Sequence, residues 1–514
     1  MRYIQGQPRN QITLFPESLE EYISEDNPVR IVDAYVESLN LRVLGFTKSI
    51  PAETGRPAYP PGAMLKLGLY GYMNRIRSSR RQKAECHRNV EVMWLIDKLT
   101  PDHRSIARFR SENAKALKEV FKDFTKLCLK LNLYGKELAA IDGSKFEAVN
   151  ANDANFNQQK LADRIARIDK QISEYMQQLE EEDIKEEGEK EKTTEEISQI
   201  IQSLQERKST YEQYKEDLKS TGQTQKSLTD PDSRRMKSND RSDMSYNVQI
   251  SVDSKHNLIA DYAVTNEASD KRQLSKMAKS STEILEADNL AVTADTGYDT
   301  ATEVAECIMA GITPHVAGAD YDICIPATED EPIPIENEPI PIEDEPIPTQ
   351  PISAHHNGRH VLLKGRNIAL CPMGNILYPS SYISSDGSAS YRNSEACANC
   401  KQRCTNQSRP KEFRIRMPRK DFSKEYDIKG LRVKQVRVRA EKSITRKRKS
   451  IAEHPFGTIK RNMDAGYVLT KGLTKVTGEF ALTCLAYNLK RVINILGVKP
   501  LLDFLHFRFF AASA

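Results

Sequence analysis

The sequence predicts an α/β fold: a mixed sheet flanked by helices, with an all-helical N-terminal domain, a coiled-coil hairpin insertion and a small Cys-rich insertion. Three observations predict it. Apolar residues recur at helical spacing throughout 1–130. From 138 onward, leaving out a heptad segment, the order reads strand, strand pair, helix, strand, helix, strand. Four cysteines then cluster within 371–404, beyond a proline-rich repeat.

At 514 residues the chain exceeds a single core, and its 39% hydrophobic and 29% charged residues are those of a soluble protein. No apolar run approaches the roughly 20 residues needed to span a bilayer, and the first residues, Met1-Arg-Tyr-Ile-Gln-Gly-Gln-Pro8, lack the apolar region of a signal peptide. The expected compartment is the cytoplasm. A net charge of +4 hides segregation, with acid at 180–196 and 329–345 and base at 75–88 and 409–461. Such asymmetry suits a polyanionic partner.

In the helical N-terminal domain, 1–130, helices are expected over Asn27–Leu39 and Pro61–Met73, the second opened by proline and glycine. A third starts at Asp102-His-Arg-Ser105. Arg75, Arg77, Arg80, Arg81, Lys83, Arg88, His103, Arg104, Arg108 and Arg110 make the region basic, as a phosphate-binding face or simply a solvated one.

The run Leu138-Ala-Ala-Ile-Asp-Gly143 reads as a buried strand closed by a turn, with Asp142 at its end. Taken alone, Asp142-Gly143 is equally a turn-forming pair. Within 156–219, Leu161, Ile165, Ile168, Ile172, Tyr175 and Leu179 form a heptad seam that resumes at Ile197 and ends at Leu218. The acidic break between the two seams favours an antiparallel hairpin or an intermolecular coil. Alternation over Tyr246–Val252 and Leu258–Val264, with a turn at Ser254–Asn257, predicts a β-hairpin. Leu290-Ala-Val-Thr-Ala-Asp295 is a second apolar run closed by an acid.

Residues 325–357 carry repeated Glu-Pro-Ile-Pro units and read as an extended tether. Cys371 with Cys397, Cys400 and Cys404, in the 358–410 module, supplies four thiolates, the donor set of a structural Zn²⁺ site; unligated thiols are the alternative. A basic arm, 411–445, contains the alternating run Arg432–Arg439. An amphipathic helix over Thr477–Leu496 reads as core.

Asp142 and Asp295, each ending a strand of one sheet, can converge on one point. Carboxylates alone make a hard oxygen site for Mg²⁺ or Mn²⁺, and two such ions suit in-line displacement at phosphorus. Glu453, in a basic segment, is the best third acid, although periodicity leaves Glu441 and Glu479 open. Lys460 stands two helical turns beyond Glu453, placed to meet a phosphate.

These residues carry a resemblance. Ile141-Asp-Gly-Ser-Lys-Phe146, Thr293-Ala-Asp-Thr-Gly-Tyr298, Ala452-Glu-His-Pro-Phe-Gly-Thr-Ile-Lys460 and Leu485-Ala-Tyr-Asn-Leu-Lys-Arg491 resemble the motifs of DDE transposases of bacterial insertion sequences. Pro101–Arg110 resembles their N-terminal domain, and the cysteine cluster an insertion found in one branch. The resemblance implies a ribonuclease-H-like catalytic domain over 131–320 and 440–500. It implies Asp142, Asp295 and Glu453 as catalytic ligands of two Mg²⁺ or Mn²⁺ ions, and Lys460, Arg446, Arg448, Lys449, Arg104 and Arg108 as DNA-binding residues. In the third motif Arg446 and Lys449 stand where the family has Tyr and Arg, so the basic character is kept and the tyrosine is not. The implied function is cleavage of double-stranded DNA at the terminal inverted repeats of an element and joining of its 3′-hydroxyl ends to target DNA. A homodimer or larger assembly, associated with the bacterial nucleoid, would carry it out. A catalytically silent DNA-binding derivative and a metal-dependent nuclease without strand transfer are the alternatives.

Overall fold

The computed structural model describes residues 18–51, 54, 57–151, 155–184, 194–221, 225–238, 241–326, 361–363, 368–371, 373, 375–383, 388–400, 413–416 and 433–513. The proline-rich repeat, 329–349, and Cys404 lie outside the described residues.

Six helices open the chain: α1 (Val29–Glu37), α2 (Pro61–Met73), α3 (Ser79–Arg88), α4 (Val90–Leu95), α5 (His103–Glu112) and α6 (Ala114–Lys130). Pro61 starts α2, where its missing N–H costs nothing. Asp102 caps α5 by accepting from the Arg104 and Ser105 N–H groups at 2.9 and 3.1 Å. Strand β1 (Leu138–Glu147) follows, then β2 (Asn155–Asn157) and two long helices, α7 (Gln158–Ile184) and α8 (Thr194–Thr221). These two pack on each other with Leu161 beside Leu218 and Asp169 paired to Lys208 at 2.6 Å. Sequence positions that rise in one helix and fall in the other mean an antiparallel pair. At its base β2 pairs antiparallel with β3 (Gln225–Ser227), so the hairpin leaves and rejoins the body through a short ribbon.

The main sheet adds β4 (Arg234–Ser238), β5 (Arg241–Asp253), β6 (Ile259–Thr265), β7 (Ala291–Ala294) and β8 (Thr313–Val316). Helices α9 (Leu274–Leu285) and α10 (Ala301–Met309) connect β6 to β7 and β7 to β8. Across the sheet the order is β6–β5–β1–β7–β8, with β4 beside the first residues of β5. The β6–β5 and β5–β1 pairs are antiparallel, whereas the β1–β7 and β7–β8 pairs are parallel. The architecture is mixed α/β.

One reading of the sequence is corrected here. Asp142-Gly143 does not close a strand: β1 continues to Glu147 and stays paired with β5 from Ala139–Asp253 to Glu147–Ser245. Gly143 is there for space, not for a turn. A Cβ on it would lie 2.8 Å from Asp270 Oδ1 and would collide with Gln249 Nε2.

Helix Leu473–Leu496 is the hub of the fold. It packs on α2, α5, α6 and β6, so the N-terminal helices and the main sheet share one apolar core. That core runs from Leu65 and Phe121 through Ile141, Val248 and Val292 to Phe480 and Leu489. Gly478 permits the close crossing with α6, since a side chain there would run into Ala114. Asn488, fully buried in the same helix, accepts from Ile259 N at 2.9 Å and donates to Ile259 O at 2.8 Å, completing the start of β6. A further helix, Val498–Ser513, follows it.

A second sheet holds β9 (Asp320–Pro326), β10 (Val361–Leu363), β11 (Ile368–Leu370), β12 (Ile376–Ile383), β13 (Ser388–Arg392), β14 (Phe413–Arg416) and β15 (Val433–Arg439). Its order is β10–β11–β12–β13–β14–β9–β15. The alternating basic run at 432–439 thus contains β15, which stands at the edge of this order and pairs with β9 from Asp320–Arg439 to Pro326–Val433. The chain leaves the main body and returns to it on adjacent strands.

Candidate active site

The pairing of β1 with β7 stops at Ala140–Thr293. Beyond that point β1 goes on with β5 alone, and β7 ends at Ala294. The two strands part, and Asp142 sits on β1 at the mouth they leave. Asp295 stands at the other lip: it follows β7 and caps the turn Thr296–Tyr298, its carboxylate accepting from Gly297 N at 2.9 Å.

Asp142 shares its face of the sheet with Ser144 and Phe146, since alternate residues of a strand point the same way. Phe146 is fully buried against Phe480 and Phe456, with ring centroids 4.6 and 6.0 Å away. This face is therefore covered by the segment 449–462 and by the hub helix.

Burial pushes the Asp142 carboxyl up to about 6, and the charges of Asp295 and Glu453 add to the rise. The Arg448 guanidinium, 3.6 Å from Asp142 Oδ2, and the Gly143 N–H, 3.0 Å from Oδ1, work the other way. The site gathers like charge and has drawn one internal cation onto it.

Glu453 is exposed, at the end of the stretch Lys449–Glu453, and is electrostatically coupled to Asp142. Among the described residues no three His, Cys, Asp or Glu side chains are grouped tightly enough to hold an ion. The structure thus brings Asp142 and Asp295 to one mouth with Glu453 near, but not into a closed cage.

Lys460 does not share the exposure of Glu453. Its amine donates to Ser144 Oγ at 2.6 Å and Lys145 O at 2.9 Å, and lies 4.6 Å from the Phe146 ring centroid. Burial and the Lys145 charge lower its pKa. Lys449–Glu453 and Thr458–Asn462 are wound with i→i+5 bonds, and both Glu453 and Lys460 interact electrostatically with Asp142.

Of the alternative third acids, Glu479 is ruled out by its surroundings. It is fully buried and takes Arg77 Nη2 at 2.9 Å, Tyr72 Oη at 3.1 Å and the Thr470 N–H at 2.9 Å. Burial opposes its charge, yet Arg110, Arg77 and the Leu469 N–H hold its carboxyl below the usual range. Arg77 and Arg110 accordingly leave the basic face; both are buried, bracing the N-terminal helices on the hub helix. Glu441 is exposed at the start of Lys442–Arg448, its N–H on His315 Nδ1 at 3.3 Å.

Arg446 and Lys449 are exposed, as are Arg104 and Arg108 on α5. Arg108 lies 3.8 Å from Glu112, an exposed pair of little energetic weight. In the second sheet Cys371 is buried and takes the Asn375 N–H on its sulfur at 3.3 Å. Cys397 and Cys400 are half-buried, on and just after helix α11 (Ser394–Ala398).

Two family models match the chain: Transposase domain (DUF772) over residues 17–112 and Transposase DDE domain over 370–493. The two matches indicate a DDE transposase of insertion-sequence type. It is accordingly an enzyme of the polynucleotidyl transferase and endonuclease class. The first match covers α1 to α5; the second takes in the four cysteines, Glu453 and Lys460, and leaves out Asp142 and Asp295. No curated protein and no solved structure matches the chain. Among the described residues, no helix of this transposase is long and apolar enough to cross a membrane.

The sequence reading missed the polar group on the other face of β1, Asn247, Gln249 and Asp270, and named Tyr298, which bonds to Gln249, only as a neighbour of the second acid. A signal was present, since Asn247 and Gln249 alternate with Tyr246, Val248 and Ile250 in a strand that is buried on both sides.

Proposed function

We propose that this transposase cuts DNA at the ends of its insertion-sequence element and joins the 3′-hydroxyl ends to target DNA, using Asp142, Asp295 and Glu453 as ligands of divalent cations. The observation that carries the reading is the placement of Asp142 and Asp295 on opposite lips of the mouth where β1 and β7 part. The strand order β6–β5–β1–β7–β8, with the first three antiparallel and the last three parallel, supports a ribonuclease-H-like core.

The donor set fits Mg²⁺ or Mn²⁺. It consists of carboxylate oxygens, and the Asp142 carboxyl is raised first by burial and further by the charges of Asp295 and Glu453, a cost that a bound cation would offset. When bound, such ions activate the attacking hydroxyl and neutralise charge on the leaving oxygen. The rest of the work falls to the chain. Asp142 and Asp295 are fixed by sheet and turn, while Arg448 is released to a phosphate once Asp142 is otherwise neutralised. Arg446, Lys449, Arg104 and Arg108 are exposed to pair with the DNA backbone, each such contact releasing counterion. Lys460 braces β1 beside Asp142. Coordinated joining of two ends calls for a homodimer or larger assembly.

The test is a cleavage and strand-transfer assay on end-sequence DNA with Asp142→Asn, Asp295→Asn and Glu453→Gln. Each is expected to abolish both steps, and full activity in any one removes that residue from the ligand set. Cleavage without joining by the unaltered protein would leave a nuclease. Binding of end DNA with neither step would leave a silent derivative.

We also infer that Cys371, Cys397, Cys400 and Cys404 hold Zn²⁺ in a structural role. The Asn375 N–H that donates to the Cys371 sulfur, an outer hydrogen bond of the kind that orients a metal ligand, supports this. Elemental analysis of the purified protein should find zinc, and its absence together with unchanged stability in chelator would reject the inference.

A further inference from the structure

The polar group on the far face of β1 has no part in the function proposed above. Gly143 and Gln249 stand opposite each other in the β1–β5 pair, on the side of the sheet away from Asp142. The Gln249 amide oxygen accepts from the Tyr298 hydroxyl. Its NH₂ donates to Asp270 Oδ1 at 2.7 Å and to Asn247 Oδ1 at 3.1 Å. Asn247 Nδ2 donates to the same Asp270 oxygen at 2.7 Å, and Lys145 Nζ lies 3.2 Å from it. Asn247 and Gln249 are fully buried, and so is Tyr298.

Tyr298 belongs to the turn that Asp295 caps, and its N–H bonds back to Asp295 O at 3.2 Å. Backbone pairing between β1 and β7 has ended two residues before each acid. Across that gap the Tyr298–Gln249 bond runs from the Asp295 turn, past Gly143, to β5. The glycine is what lets it pass: Gln249 and Asp270 occupy the space a Cβ at 143 would need. Buried polar groups this fully satisfied hold one arrangement strongly, because each lost partner leaves another group stranded.

We propose that Tyr298, Gln249 and Asp270 form a strap, with Gly143 as its passage, that positions Asp295 against Asp142 and so sets the divalent-cation affinity of the site. The proposal rests on the reading of these two acids as cation ligands. The strap residues touch neither cation nor DNA; they act through Asp295.

The test titrates the full-length protein with Mn²⁺, following the electron paramagnetic resonance of the free ion. Tyr298→Phe removes one hydroxyl; Gly143→Ala displaces Gln249 without removing a partner, so either serves if the other fails to fold. Each is expected to weaken Mn²⁺ binding by roughly 10–100-fold, the effect of losing a residue that orients a ligand. The Mn²⁺ concentration for half-maximal cleavage should rise by the same factor. Wild-type Mn²⁺ affinity in both variants overturns the proposal, as does a lower rate at saturating Mn²⁺ with unaltered metal dependence. Asp142→Asn separates the two levels. If it too binds Mn²⁺ like the wild type, the cation site itself is misassigned and the strap falls with it. If it abolishes binding while both strap variants bind normally, only the strap falls.

Discussion

Replacing Asp142 by asparagine should stabilise the metal-free protein near neutral pH while removing its activity. The carboxyl rises from 3.8 to about 6 on folding. Between those values the folded chain holds a proton that the unfolded chain has lost, so stability falls as pH rises through this window. Two units correspond to about 3 kcal/mol above pH 6. The asparagine variant escapes this loss, and should gain about 1–3 kcal/mol at pH 7.5 and nothing near pH 4. Urea unfolding of both proteins in chelator from pH 4 to 7.5 measures the difference. Saturating Mn²⁺ should then stabilise the wild type selectively, by about 2.7 kcal/mol at a hundredfold excess over Kd. A variant no more stable than the wild type at pH 7.5, or a difference that does not vary with pH, would refute the argument that Asp142 carries an uncompensated buried charge.

Three further outcomes follow from the same packing and charge. Glu479→Gln strips the charge from a buried pair with Arg77, 2.9 Å away, and should cost about 3–5 kcal/mol in urea unfolding. Phe146→Ala empties the space between Phe480 and Phe456 and should cost a similar 3–5 kcal/mol, read in the same way. Arg448→Gln removes the cation that competes for Asp142, and should tighten Mn²⁺ binding without DNA by about tenfold in a direct titration; weaker binding would mean that Arg448 helps to build the site.

The elements were legible wherever period and punctuation agreed. Asp102 marked the start of α5, Pro61 that of α2, and the alternation over 246–264 marked β5 and β6. Asp295 was placed correctly because β7 does end there. Asp142 was misplaced within its strand because glycine reads as punctuation, whereas Gly143 answers a neighbour more than a hundred residues away, Gln249. Charge counting failed for the same reason: nothing local distinguishes buried Arg77 and Arg110 from exposed Arg104 and Arg108 until Glu479 is folded against them. Of the second sheet only the alternating run that contains β15 was legible, because its two stem strands, β9 and β15, are separated by over a hundred residues.

The segment that carries Glu453 is unevenly wound. Lys460 comes seven positions after Glu453, two turns of an ideal helix. Pro455 lies between them and has no N–H to give to the carbonyl four residues back. The bonding slips to i→i+5 on both sides, at Lys449–Glu453 and Thr458–Asn462, and the turns widen. Within this winding Lys460 bonds to Ser144 and Lys145, whereas Glu453 stays exposed. Two acids are fixed by a sheet and its turn, while the third hangs on a loosely wound segment anchored by Lys460 to the strand that bears Asp142. Small rewinding of 449–462, driven by phosphates on its exposed basic residues, would move Glu453 relative to Asp142 and leave the sheet undisturbed. On the proposed reading of Glu453 as the third ligand, DNA binding would complete the site and hold the chemistry back until the substrate is in place.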